Sequence, residues 1–295
     1  MREAARRLAA EAIAAPTLLG SDATASWAVR EAPGVSVRIP ARDPSLGRAA
    51  ALLAERKPQA AVGDDPRRLA ADAVRFAACL VALEEADASV AGAVATTAEV
   101  VRAALWAVGP APGTATVSSS FYMVTPTRGT FTFADCGVVQ HPDASQLAEI
   151  AAAAARDRRR IVGDEPVVAF LSHSTLGSAE SESVDRVREA LERFRRLCPE
   201  VAADGELQGD AALDPEVAAR KAAGSPAAGR ANVLIFPDLD SGNIAYKLVQ
   251  RIGGTVALGP ILQGLRRPCS DLSRGATTED IVLIAAIASL QAGER

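Results

Sequence analysis

The densest cluster of residues able to do chemistry lies near the C-terminus, in Asp271-Leu272-Ser273-Arg274-Gly275. Ser273 and Arg274 are adjacent hydrogen-bond donors, and the planar fork of a guanidinium suits phosphate oxygens. They close a stretch, 259–275, that holds three glycines, two prolines and Gln263. The stretch is expected to run as an irregular loop between a strand and the last helix, and a loop of that length in a compact domain is usually functional. Asp280 follows Thr277 by three residues, the spacing of a capping box. Spacing alone leaves open whether its carboxylate only caps the helix or also does chemistry.

Three other loops carry polar groups at the ends of apolar runs. In 232–247 an apolar strand leads through a polar glycine turn with Asn243 into a helix bearing Lys247. Backbone amides and Lys247 could face an anion there, or Asp240 or Ser241 merely caps the helix and Lys247 is solvated. In 171–178, Ser172 and Ser174 follow a strand and could hydrogen-bond a phosphate or an amide; His173 between them does not make a triad, because adjacency in sequence is not triad geometry. In 93–102, Thr96 or Thr97 caps a helix and Arg102 sits about a turn and a half inside it, as an anion ligand or a surface arginine.

Several chemistries are disfavoured by what the sequence lacks. There is no G-x-x-x-x-G-K-[ST] loop, no G-x-G-x-x-G turn and no G-x-S-x-G elbow. The two histidines, His141 and His173, form no metal-binding spacing, so no metal is implied. The four cysteines are far apart with no C-x-x-C pair, which points to a reducing compartment. The formal charge is −4 over 295 residues, and no basic surface interleaved with aromatics suggests nucleic acid. The run Arg156-Asp157-Arg158-Arg159-Arg160 reads as helix-end charge. No apolar run reaches the ~18 to 20 residues that cross a bilayer, and the N-terminus lacks a secretory h-region, so a cytoplasmic protein is expected.

The elements that must position these residues alternate. Helices are expected near 2–15, 46–56, 66–83, 97–106, 143–156, 181–197, 214–221, 244–251 and 278–291. Strands are expected near 17–20, 35–39, 88–94, 166–171, 201–204, 232–236 and 255–258, with a hairpin formed by 114–124 and 129–134. Such βα alternation predicts doubly wound α/β architecture, where ligands gather at the carboxyl ends of strands.

Taken together, these loops resemble the phosphate acetyl/butyryl transferase family. The similarity is most specific in Asp204-Gly205-Glu206-Leu207-Gln208, in 225–233, in Phe236-Pro237-Asp238-Leu239 with Gly242-Asn243-Ile244-Ala245-Tyr246-Lys247, in Gly259-Pro260-Ile261-Leu262-Gln263-Gly264-Leu265, and in Asp271 to Gly275 with Glu279-Asp280. It continues through Phe131 to Cys136 and Thr97-Ala98-Glu99 with Arg102, and so covers nearly the whole chain. The resemblance implies two doubly wound α/β domains of the isocitrate/isopropylmalate dehydrogenase type, the first formed by 1–135 and 260–295, the second by 136–259 with the dimer interface. It also implies an active site in the interdomain cleft, a homodimer, no tightly bound cofactor, and CoA as substrate.

The implied reaction is reversible transfer of an acetyl or short acyl group between CoA and phosphate, without an acyl-enzyme. By resemblance Asp280 deprotonates the thiol, Ser273 and Arg274 stabilise developing charge, and Lys247, Asn243, Gln263, Arg102, Thr97, Ser172 and Ser174 bind substrate. Family members begin with a strand before the helix that matches Arg2 to Ala15; this chain starts inside that helix, so the first domain is expected without its first strand. Ala95, Ala103 and Leu258 stand where the family more often has histidine, proline and tyrosine. The resemblance leaves room for a butyryl-transferring enzyme and for a weakly catalytic homologue that binds CoA or acyl phosphate in a regulatory or assembly role.

Overall fold

The computed structural model describes residues 1–56 and 65–293. It is an α/β protein of two compact units, one formed by 1–111 with 265–295 and the other by 112–264.

In the first unit, α1 (Arg2–Ala10) leads to β1 (Thr17–Leu19), α2 (Asp22–Glu31) and β2 (Ser36–Arg38). A 3-10 turn then leads to α3 (Leu46–Arg56); α4 (Pro66–Ala70), α5 (Ala73–Ala82), β3 (Ser89–Ala91) and α6 (Thr97–Ala107) complete the first segment. The single helix expected over 66–83 is two helices, because the Asp72 side chain accepts the Arg75 amide and starts a new one. Strand β1 pairs β2 in parallel, Leu18 opposite Val37. A small core of Ala5, Trp27, Ala28, Ala32 and Val35 joins α1 to α2.

The second unit holds a six-stranded mixed sheet. Its elements are β4 (Ser118–Val124), β5 (Thr130–Ala134), α7 (Ala144–Ile161), β6 (Val167–Leu171), α8 (Glu182–Leu197), β7 (Ala202–Leu207), α9 (Gly209–Leu213), α10 (Pro215–Lys221), β8 (Val233–Ile235), α11 (Leu239–Ile252) and β9 (Val256–Gln263). The order is β7-β6-β8-β5-β4-β9: the first four strands run parallel, and β4 lies antiparallel to both β5 and β9. The hairpin β4-β5 is therefore part of this sheet, and 112–135 and 260–264 belong to the second unit, whereas the resemblance implies the first.

Alanine explains how one face of that sheet is covered. Helix α7 turns Ala148, Ala151, Ala154 and Ala155 toward the core, so α8 can approach closely and insert Val187, Leu191 and Phe194. Each large side chain fully buried there contributes about 1.5–3 kcal/mol. On the other face Phe121, Phe133, Leu234 and Phe236 pack with Tyr246 and Val249 of α11, and the Phe121 and Tyr246 rings stack at 4.0 Å.

Arg158, read from sequence as helix-end charge, is instead a buried strut. It grips Asp164 with two nitrogens at 2.7 and 2.6 Å and donates to Thr132 Oγ1 and the Asn232 carbonyl.

The chain then re-enters the first unit with β10 (Cys269–Asp271) and α12 (Thr278–Ala292). Strand β10 lies inside the stretch expected to be irregular and pairs β3 in parallel, Asp271 opposite Ala91.

Candidate active site

In the first unit the candidate residues gather at the carboxyl ends of β3 and β10. Leu272 is buried and anchors the chain as it leaves β10, while Ser273, Arg274 and Gly275 project into solvent. A tight turn holds them: the Ala276 amide donates to the Ser273 carbonyl at 2.9 Å and the Gly275 amide to Ser273 Oγ at 3.4 Å. Arg274 makes no ion pair among the described residues, so its guanidinium is available to an anion.

Helix α12 starts at once after this turn, and its capping box is fully formed. Asp280 Oδ2 accepts the Thr277 amide at 2.8 Å and the Thr277 hydroxyl at 2.9 Å, and the Asp280 amide donates back to Thr277 Oγ1 at 3.2 Å. The other oxygen, Oδ1, has no hydrogen bond among the described residues. Capping and chemistry, which spacing left as alternatives, are thus compatible: one oxygen fixes the carboxylate on the helix and the other is left over.

Thr97 opens α6, after Thr96 has capped it in a box with Glu99. Its hydroxyl donates to Asp271 Oδ2 at 2.6 Å. Burial pushes the Asp271 carboxyl above its usual range, and the Thr97 hydroxyl pulls it back. Arg102 is exposed one turn beyond Glu99 and helps keep the Glu99 carboxyl low, after the larger effects of the Thr96 amide and hydroxyl.

The second unit treats its candidates differently. Asp238, not Asp240 or Ser241, caps α11, accepting the Ser241 amide at 2.8 Å. Asn243 therefore lies in the first turns and donates to the Cys136 carbonyl at 3.0 Å, tying the helix to the end of β5. Gly242 permits the approach, since a Cβ there would overlap the Asp135 carbonyl and reach 3.1 Å from Cys136 Sγ. Lys247 is exposed two turns in, its ammonium 5.2 Å from the Tyr246 ring centre.

After β6, Ser172 Oγ accepts the Ser174 amide at 3.2 Å. Ser174 is wholly buried, and its hydroxyl donates to Glu206 at 2.8 Å. Gln263 is also buried: it ends β9 opposite Ser118 and donates to Ser118 Oγ at 2.8 Å and the Ile150 carbonyl at 3.1 Å. Ser174 and Gln263 thus fasten the scaffold through these bonds. Among the described residues, no cluster of His, Cys, Asp or Glu gathers to hold a metal, and no disulfide forms.

Three acidic residues stand out that motif reading left without roles. Glu206 is buried and takes the Ser174 hydroxyl, the Gly177 amide and the Arg188 guanidinium, two of whose nitrogens reach it at 2.8 and 3.1 Å. Burial alone would raise its carboxyl, but these donors overcome that and hold it at about 2. Asp135 accepts from the Ser119 hydroxyl and from the amides of Ser119, Gly137, Val138 and Val139. Burial pushes its carboxyl up against the pull of those bonds. Asp271 is the third. The available signal was an acid placed directly at the end of a short or apolar run, where its backbone is buried and its side chain must find local donors.

An exposed hydroxyl and guanidinium and a half-buried carboxylate therefore share one loop–helix junction, a set suited to binding an anion beside a base. The chain belongs to the phosphate acetyl/butaryl transferase family, whose pattern matches residues 1–289. It is 48% identical over 299 residues to the phosphate acetyltransferase of Paracoccus denitrificans, covering 98% of this chain and 90% of that one. It is 53% identical over 226 residues to the phosphate acetyltransferase of Acetivibrio thermocellus, covering 75% and 68%. Among solved structures, a phosphotransacetylase from Streptococcus pyogenes superposes with a TM-score of 0.93 at 39% identity, covering all of this chain and 92% of that one.

Proposed function

We propose that this chain catalyses the reversible transfer of an acetyl group between CoA and orthophosphate: acetyl-CoA and phosphate in one direction, acetyl phosphate and CoA in the other. Family membership supports the reaction class. The observation that carries the residue assignment is the pairing of exposed Ser273 and Arg274 with Asp280, which keeps one carboxylate oxygen outside its cap.

In the direction of acetyl-CoA synthesis, Asp280 takes the proton of the CoA thiol. A thiol with a pKa near ~8.5 is mostly protonated at neutral pH, so a positioned base raises the nucleophilic fraction. The thiolate attacks the carbonyl carbon of acetyl phosphate, the carbon–sulfur bond forms, and the bond to the phosphate oxygen breaks. Ser273 and Arg274 donate to the oxygens on which charge develops, and the leaving phosphate takes up the proton from Asp280. Lys247 and Arg102 add positive charge for anionic parts of the substrates. CoA is a substrate in this reading, and no resident cofactor is required.

The same reading takes the two units as doubly wound domains of the isocitrate/isopropylmalate dehydrogenase type, and the protein as a cytoplasmic homodimer. The parallel strands β5 to β8 and the candidate residues at strand carboxyl ends support that architecture. Purified protein with CoA and acetyl, propionyl or butyryl phosphate, followed by thioester absorbance, tests the activity. Thioester formation fastest with acetyl phosphate is expected; no turnover with any of the three would reject the proposal. Light scattering at working concentration tests the dimer.

A further inference from the structure

The transfer as derived makes no use of Asp271, although this carboxylate is completely buried at the end of the strand that carries Ser273 and Arg274. Its Oδ2 accepts the Thr97 hydroxyl at 2.6 Å. Its Oδ1 is sealed from solvent beside the Leu272 amide, with no side-chain donor among the described residues. Gly92 closes over it with φ of 114°, and a Cβ at that position would overlap Oδ1 and the Leu272 backbone. The carboxylate is thus clamped between the end of β3 and the start of α6, with Thr97 as its one side-chain partner among the described residues.

Thr97 is the opposite case, an exposed side chain whose one hydrogen bond among the described residues points inward to Asp271. A hydroxyl owns one proton and two lone pairs. With the proton committed to a carboxylate, Oγ1 can offer a ligand only its lone pairs. We infer that Asp271 is a positioning residue that makes Thr97 an obligate hydrogen-bond acceptor, so that Thr97 selects a donor group on the CoA substrate and not the oxygens of the acyl phosphate. CoA offers such donors in its amides, hydroxyls and thiol, whereas the dianion of acetyl phosphate has acceptors alone. The inference rests on the transferase reading above and deepens it, since it sorts the substrates between neighbouring side chains: Arg274 and Ser273 take the anion, Thr97 takes the donor.

The test is steady-state kinetics in the acetyl-CoA-forming direction, with CoA and acetyl phosphate varied in turn, on wild type, Thr97→Val, Thr97→Ser, Asp271→Asn and the Thr97→Val/Asp271→Asn pair. Thr97→Val is expected to raise KM for CoA about three- to tenfold, the weight of one neutral hydrogen bond, and to leave KM for acetyl phosphate unchanged. Thr97→Ser, which keeps the hydroxyl, is expected to restore the wild-type value. Asp271→Asn puts an amide, which also donates, where a carboxylate only accepts, and so no longer commits the Thr97 proton; it is expected to raise KM for CoA on the wild-type background and to add nothing on the Thr97→Val background, because Asp271 acts through Thr97.

A rise in KM for acetyl phosphate with Thr97→Val, or no change in either KM, overturns the inference. So do effects of the two substitutions on KM for CoA that simply multiply. If Asp271→Asn does not fold, the exposed Thr97 pair decides alone. If wild type turns over neither substrate pair, the transferase reading fails by itself. Calorimetric titration of wild type and Thr97→Val with CoA and with acetyl phosphate then decides: weaker CoA binding by the variant supports the inference, while weaker acetyl phosphate binding, or no CoA binding by wild type, overturns it.

Discussion

Two loops in this protein begin alike and end differently. The one after β6 and the one after β10 both leave the carboxyl end of a parallel strand, and both carry serine and glycine. In the first, the buried Glu206 pulls the Ser174 hydroxyl and the Gly177 amide inward. In the second, no interior charge competes for Ser273 and Arg274; the buried acid beneath them, Asp271, is engaged by Thr97 of another helix. A hydroxyl-rich loop becomes a fastening or a ligand surface according to where its counter-charge lies. The comparison predicts that substitutions in the β10 loop strike turnover and those around β6 strike stability.

The sharpest way to break it is Asp280→Asn. Asparagine keeps the shape and still accepts the Thr277 bonds of the cap, so melting is expected to move little; even complete loss of such a cap costs only about 0.5–2 kcal/mol. The base is gone, and kcat is expected to fall about 100- to 10,000-fold. Thermal melting and thioester kinetics on the same preparation check both halves. A variant with near-normal kcat would reduce Asp280 to the helix cap that its spacing with Thr277 already explains.

Next in size are Ser273→Ala and Arg274→Gln. Both side chains are exposed, and the bond lost, from the Gly275 amide to Ser273 Oγ at 3.4 Å, is long, so folding should be little changed. Removing one preorganised donor to developing charge is expected to lower kcat about 100- to 1,000-fold. Stopped assays with acetyl phosphate and CoA measure it. A loss appearing in Tm and not in kcat would erase the contrast with the β6 loop.

Glu206→Gln is expected to do the reverse. It takes from the Arg188 guanidinium its closer charge partner and leaves Asp185 at 3.4 Å; because Arg188 also reaches solvent, the cost should be about 2–3 kcal/mol, below the ~3–5 kcal/mol of a wholly buried pair. The kcat of the remaining folded protein should be unchanged. The pH dependence follows from the sign of the shift. Glu206 is held at about 2 against an ordinary value of 4.5, so its stabilisation is complete above about 4.5 and disappears as pH falls toward 2. Denaturant melts across that range should show wild type and variant converging in acid, and a gap that persists at pH 2 would contradict the assigned partners.

The sequence made one side of the contrast readable and concealed the other. Alternating β and α segments, the β4-β5 hairpin and the capping-box spacing of Thr277 and Asp280 are local signals, and local hydrogen bonds realise them. Strand β10 was hidden because Cys-Ser-Asp has little strand propensity; pairing with β3, some 180 residues earlier, makes it a strand. Gly259-Pro260 signals a turn and so predicts a loop around Gln263. Instead β9 continues past them: Tyr122 pairs Leu258 and Ser120 pairs Ile261, so glycine and proline occupy a bulge in the ladder. Helix α2 was missed because few of its residues face a core, chiefly Trp27 and Ala28. Ser174 and Ser273 look equivalent as residue types, and only the long-range partner, Glu206, distinguishes them.

Lys247→Ala is the smallest of the expected effects and places α11 within the comparison. The ammonium is exposed and rests 5.2 Å from the Tyr246 ring centre, a contact worth about 0.5–1 kcal/mol at a solvated site. As a solvated lysine it would leave kinetics untouched on removal. As a point charge for the acyl phosphate it should raise KM for acetyl phosphate about three- to tenfold with kcat nearly constant, because uniform binding of an anion is lost without loss of a transition-state contact. That rise should shrink as ionic strength increases, since exposed charges are screened over about 8–10 Å. KM for acetyl phosphate measured with added salt therefore separates the two roles. A salt-dependent rise would set Lys247 with Arg274 among the solvent-facing donors; a flat response would set it with the residues that serve only the scaffold.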